Sequence, residues 1–212
     1  GIAHESGAIF HTDAVQAVGH IPIDLKKLGV DMLSASAHKF NGMKGSGFLY
    51  IRKGVEIHPY SDGGAQENGQ RAGTENVAAI VAMATALQKN CDRMAATAEK
   101  LHVLEEVFLK RLSQSGIDYI RNGSENHLPG NINISINGAD GEMLLHRLDL
   151  KGICISTGSA CDSVNTRISH VIEAIQMPET YAKGTIRITF GAENTKAEAA
   201  EIADALKGIL KG

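Results

Sequence analysis

The chain has 212 residues, 43% hydrophobic and 21% charged, with 21 Lys and Arg against 24 Asp and Glu for a net charge of -3. That is the composition of one or two ordinary globular domains, and it gives no electrostatic basis for nucleic acid or an anionic membrane as partner. No apolar run approaches the length of a membrane span, no signal peptide is apparent, and three cysteines at 91, 154 and 161 fit a reducing, cytoplasmic setting rather than a disulfide framework.

In chain order, residues 7–12 read as a buried strand and 13–20 as a short helix, with Asp13 and Gln16 just beyond the strand end. Pro22 holds 21–24 extended. Asp24 is placed to cap a helical turn through Leu28, closed by Gly29. A strand over Met32–Ser36 leads into a polar tip, His38-Lys39, and a glycine-rich turn with Gly42, Gly45 and Gly47, before a second strand over Gly47–Ile51. Small neighbours and glycines let backbone approach a ligand closely. A lysine at a strand end beside Ser and His suits a Schiff-base amine with anion-binding donors, although a single lysine is more commonly a solvated charge.

Residues 61–76 hold several glycines and many polar groups and read as a loop. Apolar positions 77, 80, 81, 84 and 87 keep helical spacing, and a second helical run spans 92–115. Their join near 89–98 marks the expected domain boundary, with one long helix able to carry the chain across it. Beyond it, 117–121 is a weak strand, 131–136 alternates Ile with Asn or Ser as a half-buried strand, 141–149 fits a helix and 152–156 a strand. Residues 165–176 fit a helix and 185–190 a strand. Thr195 with Glu198 forms a capping box for the last helix, whose positions 199, 202, 203, 206 and 209 make one apolar face. Short strands alternating with helices predict an α/β layer architecture.

Three stretches together resemble the pyridoxal-phosphate-dependent cysteine desulfurases of the NifS/IscS kind, a branch of the class-V aminotransferases: Ser36-Ala-His38-Lys39, Gln66-Glu-x-Gly-x-Arg-x-Gly-Thr74, and Ser156-Thr-Gly-Ser-Ala-Cys161-x-Ser163. The resemblance covers essentially the whole chain. It implies a fold-type-I α/β architecture, with 1–95 the C-terminal part of the cofactor-binding large domain and 96–212 a small α+β domain carrying the cysteine loop. It implies Lys39 as the lysine that binds the cofactor aldehyde, Asp13 as partner of the pyridinium nitrogen, and Gln16 as donor to the ring oxygen. Ser36 and His38 become phosphate ligands, joined by Thr74 from the neighbouring subunit of a homodimer. Arg187 grips the substrate α-carboxylate, and Cys161 takes the sulfur as a persulfide. Substrate L-cysteine would give L-alanine, with an iron–sulfur scaffold or similar protein accepting the sulfur.

Plainer readings stand beside these roles. Asp13 also suits a helix cap, Thr74 a flexible surface loop, and Arg187 an outward, solvated charge on an Ile-Arg-Ile strand. Cys91 and Cys154 fit buried structural thiols. No metal-ligand spacing occurs. Departures from the family pattern are Met43 in place of a proline, Ala65 in place of a glycine, and Asp162 after the cysteine, whose charge raises the thiol pKa. The chain starts at Gly1, so it is expected to be the C-terminal portion of a longer polypeptide, the upstream part carrying the histidine that stacks on the cofactor. Selenocysteine lyase activity and a non-catalytic sulfur carrier remain alternatives; a generic aminotransferase has no use for the cysteine loop.

Overall fold

Alternation along Met32–Ser36 sets the first half of the molecule. Leu33 and Ala35 are buried, while Met32, Ser34 and Ser36 face the other side and are half-exposed. The structure, a computed structural model, describes residues 1–157 and 168–212. Cys161, the proposed persulfide carrier, lies outside the described residues. The chain divides after Met94 into two units.

In the first unit a short helix α1 (Ile2–Glu5) precedes β1 (His11–Asp13), α2 (Leu25–Leu28), β2 (Met32–Ser36) and β3 (Gly47–Ile51). The sheet order is β1-β2-β3. β1 runs parallel to β2, with Asp13 opposite Ser34, and β3 returns antiparallel, with Gly47 opposite Ser36. As expected, Asp24 caps α2 by accepting from the backbone N–H groups of Lys26 and Lys27, and Gly29 closes it in the left-handed region. Ala14, Val18, Leu33, Ala35, Ala37 and Phe40 form the core.

Two expectations fail here. β1 is three residues, not the buried strand predicted from residue 7: Ile9 and Phe10 are exposed, because the ladder with β2 begins only at His11–Met32. Residues 15–20 form a run of turns rather than a helix, with the carbonyls of Ala14 and Ala17 accepting most of the bonds.

The long helix α3 (Val77–Ser113) is continuous through the unit boundary. Its first part packs through Met83, Ala86 and Leu87 rather than through Val77 and Val81, which are exposed. In the second unit follow β4 (Tyr119–Asn122), β5 (Asn131–Ile136), α4 (Gly141–Asp149), α5 (His170–Ala174), α6 (Glu179–Ala182), β6 (Thr185–Thr189) and α7 (Lys196–Lys211). The sheet is antiparallel, β4-β5-β6. Ile132, Ile134 and Ile136 of β5 and Ile186 and Ile188 of β6 turn one face onto Leu104, Phe108 and Leu112 of α3, with Leu144, Leu148, Ala203 and Leu206 in the same core. Residues 152–156 are not the predicted strand; among the described residues one bridge, Ser156 to Arg187, is all that pairs there. Cys154 is exposed because its neighbours Ile153 and Ile155 pack on the core, and Cys91 is exposed on α3, so neither is a buried structural thiol.

Candidate active site

The β1–β2 pair ends in chemistry. Residues opposite one another in a ladder share a face, and alternate residues along a strand return to it. Asp13, Ser34 and Ser36 therefore project from one face, the one turned away from Leu33 and Ala35. Directly after Ser36 the chain tightens into a 3₁₀ turn, Ala37–Phe40, which carries His38 and Lys39. Four of the expected residues, Asp13, Ser36, His38 and Lys39, thus lie at one end of two adjacent strands. Gln16 follows Asp13 in the run of turns.

Their hydrogen bonds limit what each can do. Asp13 is exposed, and its Oδ1 accepts from the Val15 N–H at 2.9 Å. Its second oxygen has no partner among the described residues. Ser36 Oγ and His38 Nδ1 are 2.8 Å apart. If the hydroxyl donates, the imidazole presents Nε2–H outward; if Nδ1–H donates, the Ser36 O–H is free to donate elsewhere. Either way the pair offers a donor to an anion. Lys39 is half-buried and its amine has no partner among the described residues.

The turn beneath Lys39 is fixed from three directions. His20 Nε2 donates to the Lys39 carbonyl at 2.8 Å. Asn90, on α3, donates through Nδ2 to the Phe40 carbonyl at 2.7 Å. The Gly42 N–H closes onto the Ala37 carbonyl at 2.8 Å, with Asn41 left-handed at φ 67° between them. Phe40 is the buried plug of the turn. Gly47 must be glycine, since a Cβ there would lie 2.4 Å from the Ala35 carbonyl oxygen. Neither His20 nor Asn90 was legible as a site residue. They act from 19 and 50 residues away, and no local pattern marks them.

Thr74 lies in the first unit, exposed in the loop 61–76, where Gln66 Oε1 accepts from the Gly73 N–H. No described hydrogen bond ties it to the strand-end residues. Arg187 belongs to the second unit, where it sits half-buried in β6 on the face opposite Ile186 and Ile188.

Residues 1–202 match the aminotransferase class-V family. The chain belongs to that family. Among other class-V aminotransferases, the chain is 48% identical over 211 residues to the cysteine desulfurase IscS of Dictyoglomus turgidum, covering 99% of this chain and 54% of that protein. Among solved structures it superposes on a NifS-like protein from Rickettsia africae with a TM-score of 0.89 and 32% identity, over 100% of this chain and 56% of that one. Another NifS-like protein gives a TM-score of 0.86 and 35% identity, over 97% of this chain and 53% of that one. The fold is the mixed α/β, fold-type-I arrangement of these enzymes, and the chain spans about half the length of the curated relatives it matches.

Class-V aminotransferases are generally pyridoxal-phosphate-dependent. The donor set at the end of β1 and β2 fits that group: a carboxylate with one oxygen uncommitted, a hydroxyl–imidazole pair with a donor to spare, and an amine without a partner among the described residues. Among the described residues, no helix is long and apolar enough to cross a membrane.

Proposed function

We propose that this chain is the part of a cysteine desulfurase that holds pyridoxal phosphate and carries the persulfide cysteine. The observation that carries the reading is the convergence of Asp13, Ser36, His38 and Lys39 on one end of the β1–β2 pair. Similarity to proteins named cysteine desulfurase supports it.

In this reading residues 1–95 are the later part of the cofactor-binding large domain and 96–212 the small domain. Lys39 tethers the cofactor through its amine. Asp13 hydrogen-bonds the pyridinium nitrogen and keeps it protonated, and Gln16 donates to the ring oxygen. Ser36 and His38 bind the phosphate, with Thr74 supplied across a homodimer. When bound, the cofactor supplies an electron sink conjugated to the substrate Cα. Arg187 holds the α-carboxylate of L-cysteine through two parallel hydrogen bonds. The Cys161 thiolate attacks the substrate sulfur, the carbon–sulfur bond breaks, and sulfur stays on Cys161 as a persulfide while L-alanine leaves with a proton gained at Cβ. An iron–sulfur scaffold or similar cytoplasmic acceptor then takes the sulfur.

The test is reconstitution with pyridoxal phosphate, of this chain and of the chain extended to its relatives' length. The extended protein is expected to show a visible cofactor band that Lys39→Ala abolishes, and to yield alanine with one persulfide on Cys161. This chain alone is expected to bind the cofactor weakly and turn over little. Persulfide on Cys161 with no cofactor band in the extended protein would replace the enzyme reading with a sulfur carrier. Selenium release that survives Cys161→Ala, without sulfur release, would point to a selenocysteine lyase.

A further inference from the structure

We propose that Asn133 is a second carboxylate-binding residue beside Arg187, set in place by Asn122, and that the polar face of the β4–β5–β6 sheet leaves the Arg187 guanidinium to an external carboxylate. The inference deepens the reading of Arg187 given above and rests on it.

Register brings the residues together. Arg187 of β6 is directly opposite Asn133 of β5, and Asn133 is directly opposite Asn122 of β4. On its other side Arg187 bridges to Ser156, with backbone hydrogen bonds of 2.7 and 3.0 Å. These four residues form one row across the sheet, on the face turned away from the isoleucine core. Along β6, Thr185 and Thr189 are the neighbours of Arg187 on the same face. Every one of these neighbours is neutral.

The other arginine of the sheet is treated differently. Arg121 is on the core side of β4, opposite Ile134, where it pairs with buried Glu105 and meets His127. Its charge is neutralised within the unit. Among the described residues the Arg187 side chain makes no hydrogen bond or ion pair, so no described group neutralises its charge.

The orientation of Asn133 follows from a directed chain of hydrogen bonds. The Thr185 hydroxyl donates to the Ala182 carbonyl at 2.8 Å. It therefore accepts from Ser135, whose Oγ is 2.7 Å away. Ser135 Oγ in turn accepts from Asn122 Nδ2 at 2.8 Å. That fixes the amide of Asn122 with its nitrogen toward β5, and the same nitrogen donates to Asn133 Oδ1 at 2.6 Å. Asn122 adopts this orientation even though its own Oδ1 is left buried without a partner. With its oxygen held toward β4, Asn133 has its NH₂ group on the side of β6. An amide donor and a guanidinium are then neighbours with no acceptor assigned to either. Donors so grouped suit one carboxylate with two oxygens.

The test uses the holoenzyme of the relatives' full length carrying this chain. It measures dissociation constants for L-alanine and for L-alaninamide, which lacks the carboxylate, together with kcat and KM for L-cysteine. Asn133→Asp sets a carboxylate beside Arg187 to compete with the ligand. It is expected to weaken L-alanine binding by about tenfold or more, with L-alaninamide bound as in the wild type and KM rising more than kcat falls. Asn133→Ser and Asn122→Ser are expected to weaken L-alanine selectively by roughly threefold. If Asn133→Asp does not fold, Asn133→Ser decides alone. Unchanged L-alanine affinity in the Asn133 variants, while Arg187→Gln loses it, would overturn the role of Asn133 and leave Arg187 standing. Unchanged affinity in Arg187→Gln overturns both.

Discussion

Lys39 owes its position less to its own contacts than to hydrogen bonds on the carbonyls around it. His20 and Asn90 grip the carbonyls of Lys39 and Phe40. Removing either donor, by His20→Ala or Asn90→Ala, should cost about 1 kcal/mol in denaturant unfolding, as for a typical lost hydrogen bond. It should also weaken cofactor uptake, read from the visible band, in the protein extended to its relatives' length. The lysine itself was legible because Ser-x-His-Lys is contiguous; its two supports were not, because hydrogen bonds to backbone carbonyls leave no spacing to read. Asp31 was equally silent in the sequence. It is nearly fully buried, and its Oδ2 accepts from the Phe10 N–H at 2.7 Å and from His4 at 2.8 Å, with Arg52 at 2.5 Å from Oδ1. Chiefly the Phe10 amide, then His4, with the Arg52 charge adding, holds its carboxyl below the ordinary value of 3.8, against the opposing pull of burial. A carboxyl depressed in the fold stabilises it above the unfolded value and loses that contribution as pH falls through the folded one. Thermal melts should therefore show the first unit weakening below about pH 4, whereas Asp31→Asn should be less stable at neutral pH and flatter in acid.

At the scale of elements, the legible ones carried their own punctuation. α7 begins where Thr195 and Glu198 cap each other reciprocally, and Thr195→Ala should lower unfolding stability by about 1 kcal/mol. α2 is framed by Asp24 and Gly29, and α4 by Asp140, which accepts from the Met143 N–H. β5 was readable from strict alternation, Ile132, Ile134 and Ile136 inward. The two strand failures have one cause in common. Apolar runs at 7–12 and 152–156 look like strands, but a strand exists only where a partner edge meets it, and pairing is a long-range fact. The β2–β3 end is a position of the opposite kind, set by sterics at Gly47. Gly47→Ala would press a Cβ to 2.4 Å from the Ala35 carbonyl oxygen. We expect that variant to lose cofactor binding while the second unit keeps its far-UV signature.

Over the whole molecule the two units differ in how much apolar surface each buries. The second gathers its core from α3, β5, β6, α4 and α7, with Phe108 edge-on to Phe190 at 6.3 Å between ring centres. The first relies on a small cluster around Phe40. Since local opening free energies follow buried apolar contact, amide hydrogen exchange should be slowest in β5 and β6 and clearly faster in β1 and β3. Equal protection in the two sheets would contradict that ranking. The α/β class and the family were legible from motif and periodicity; the imbalance between the cores was not, because side-chain burial depends on which elements meet. The same small core bears on the protein's lifetime. Asn41 precedes Gly42, a pairing whose slender second residue lets the backbone nitrogen attack the asparagine amide, release ammonia and insert an extra carbon into the main chain. In the native turn that nitrogen is engaged by the Ala37 carbonyl. Folding thus guards the lysine's own stretch of chain against spontaneous ageing, and each excursion from the folded state brings irreversible damage closer.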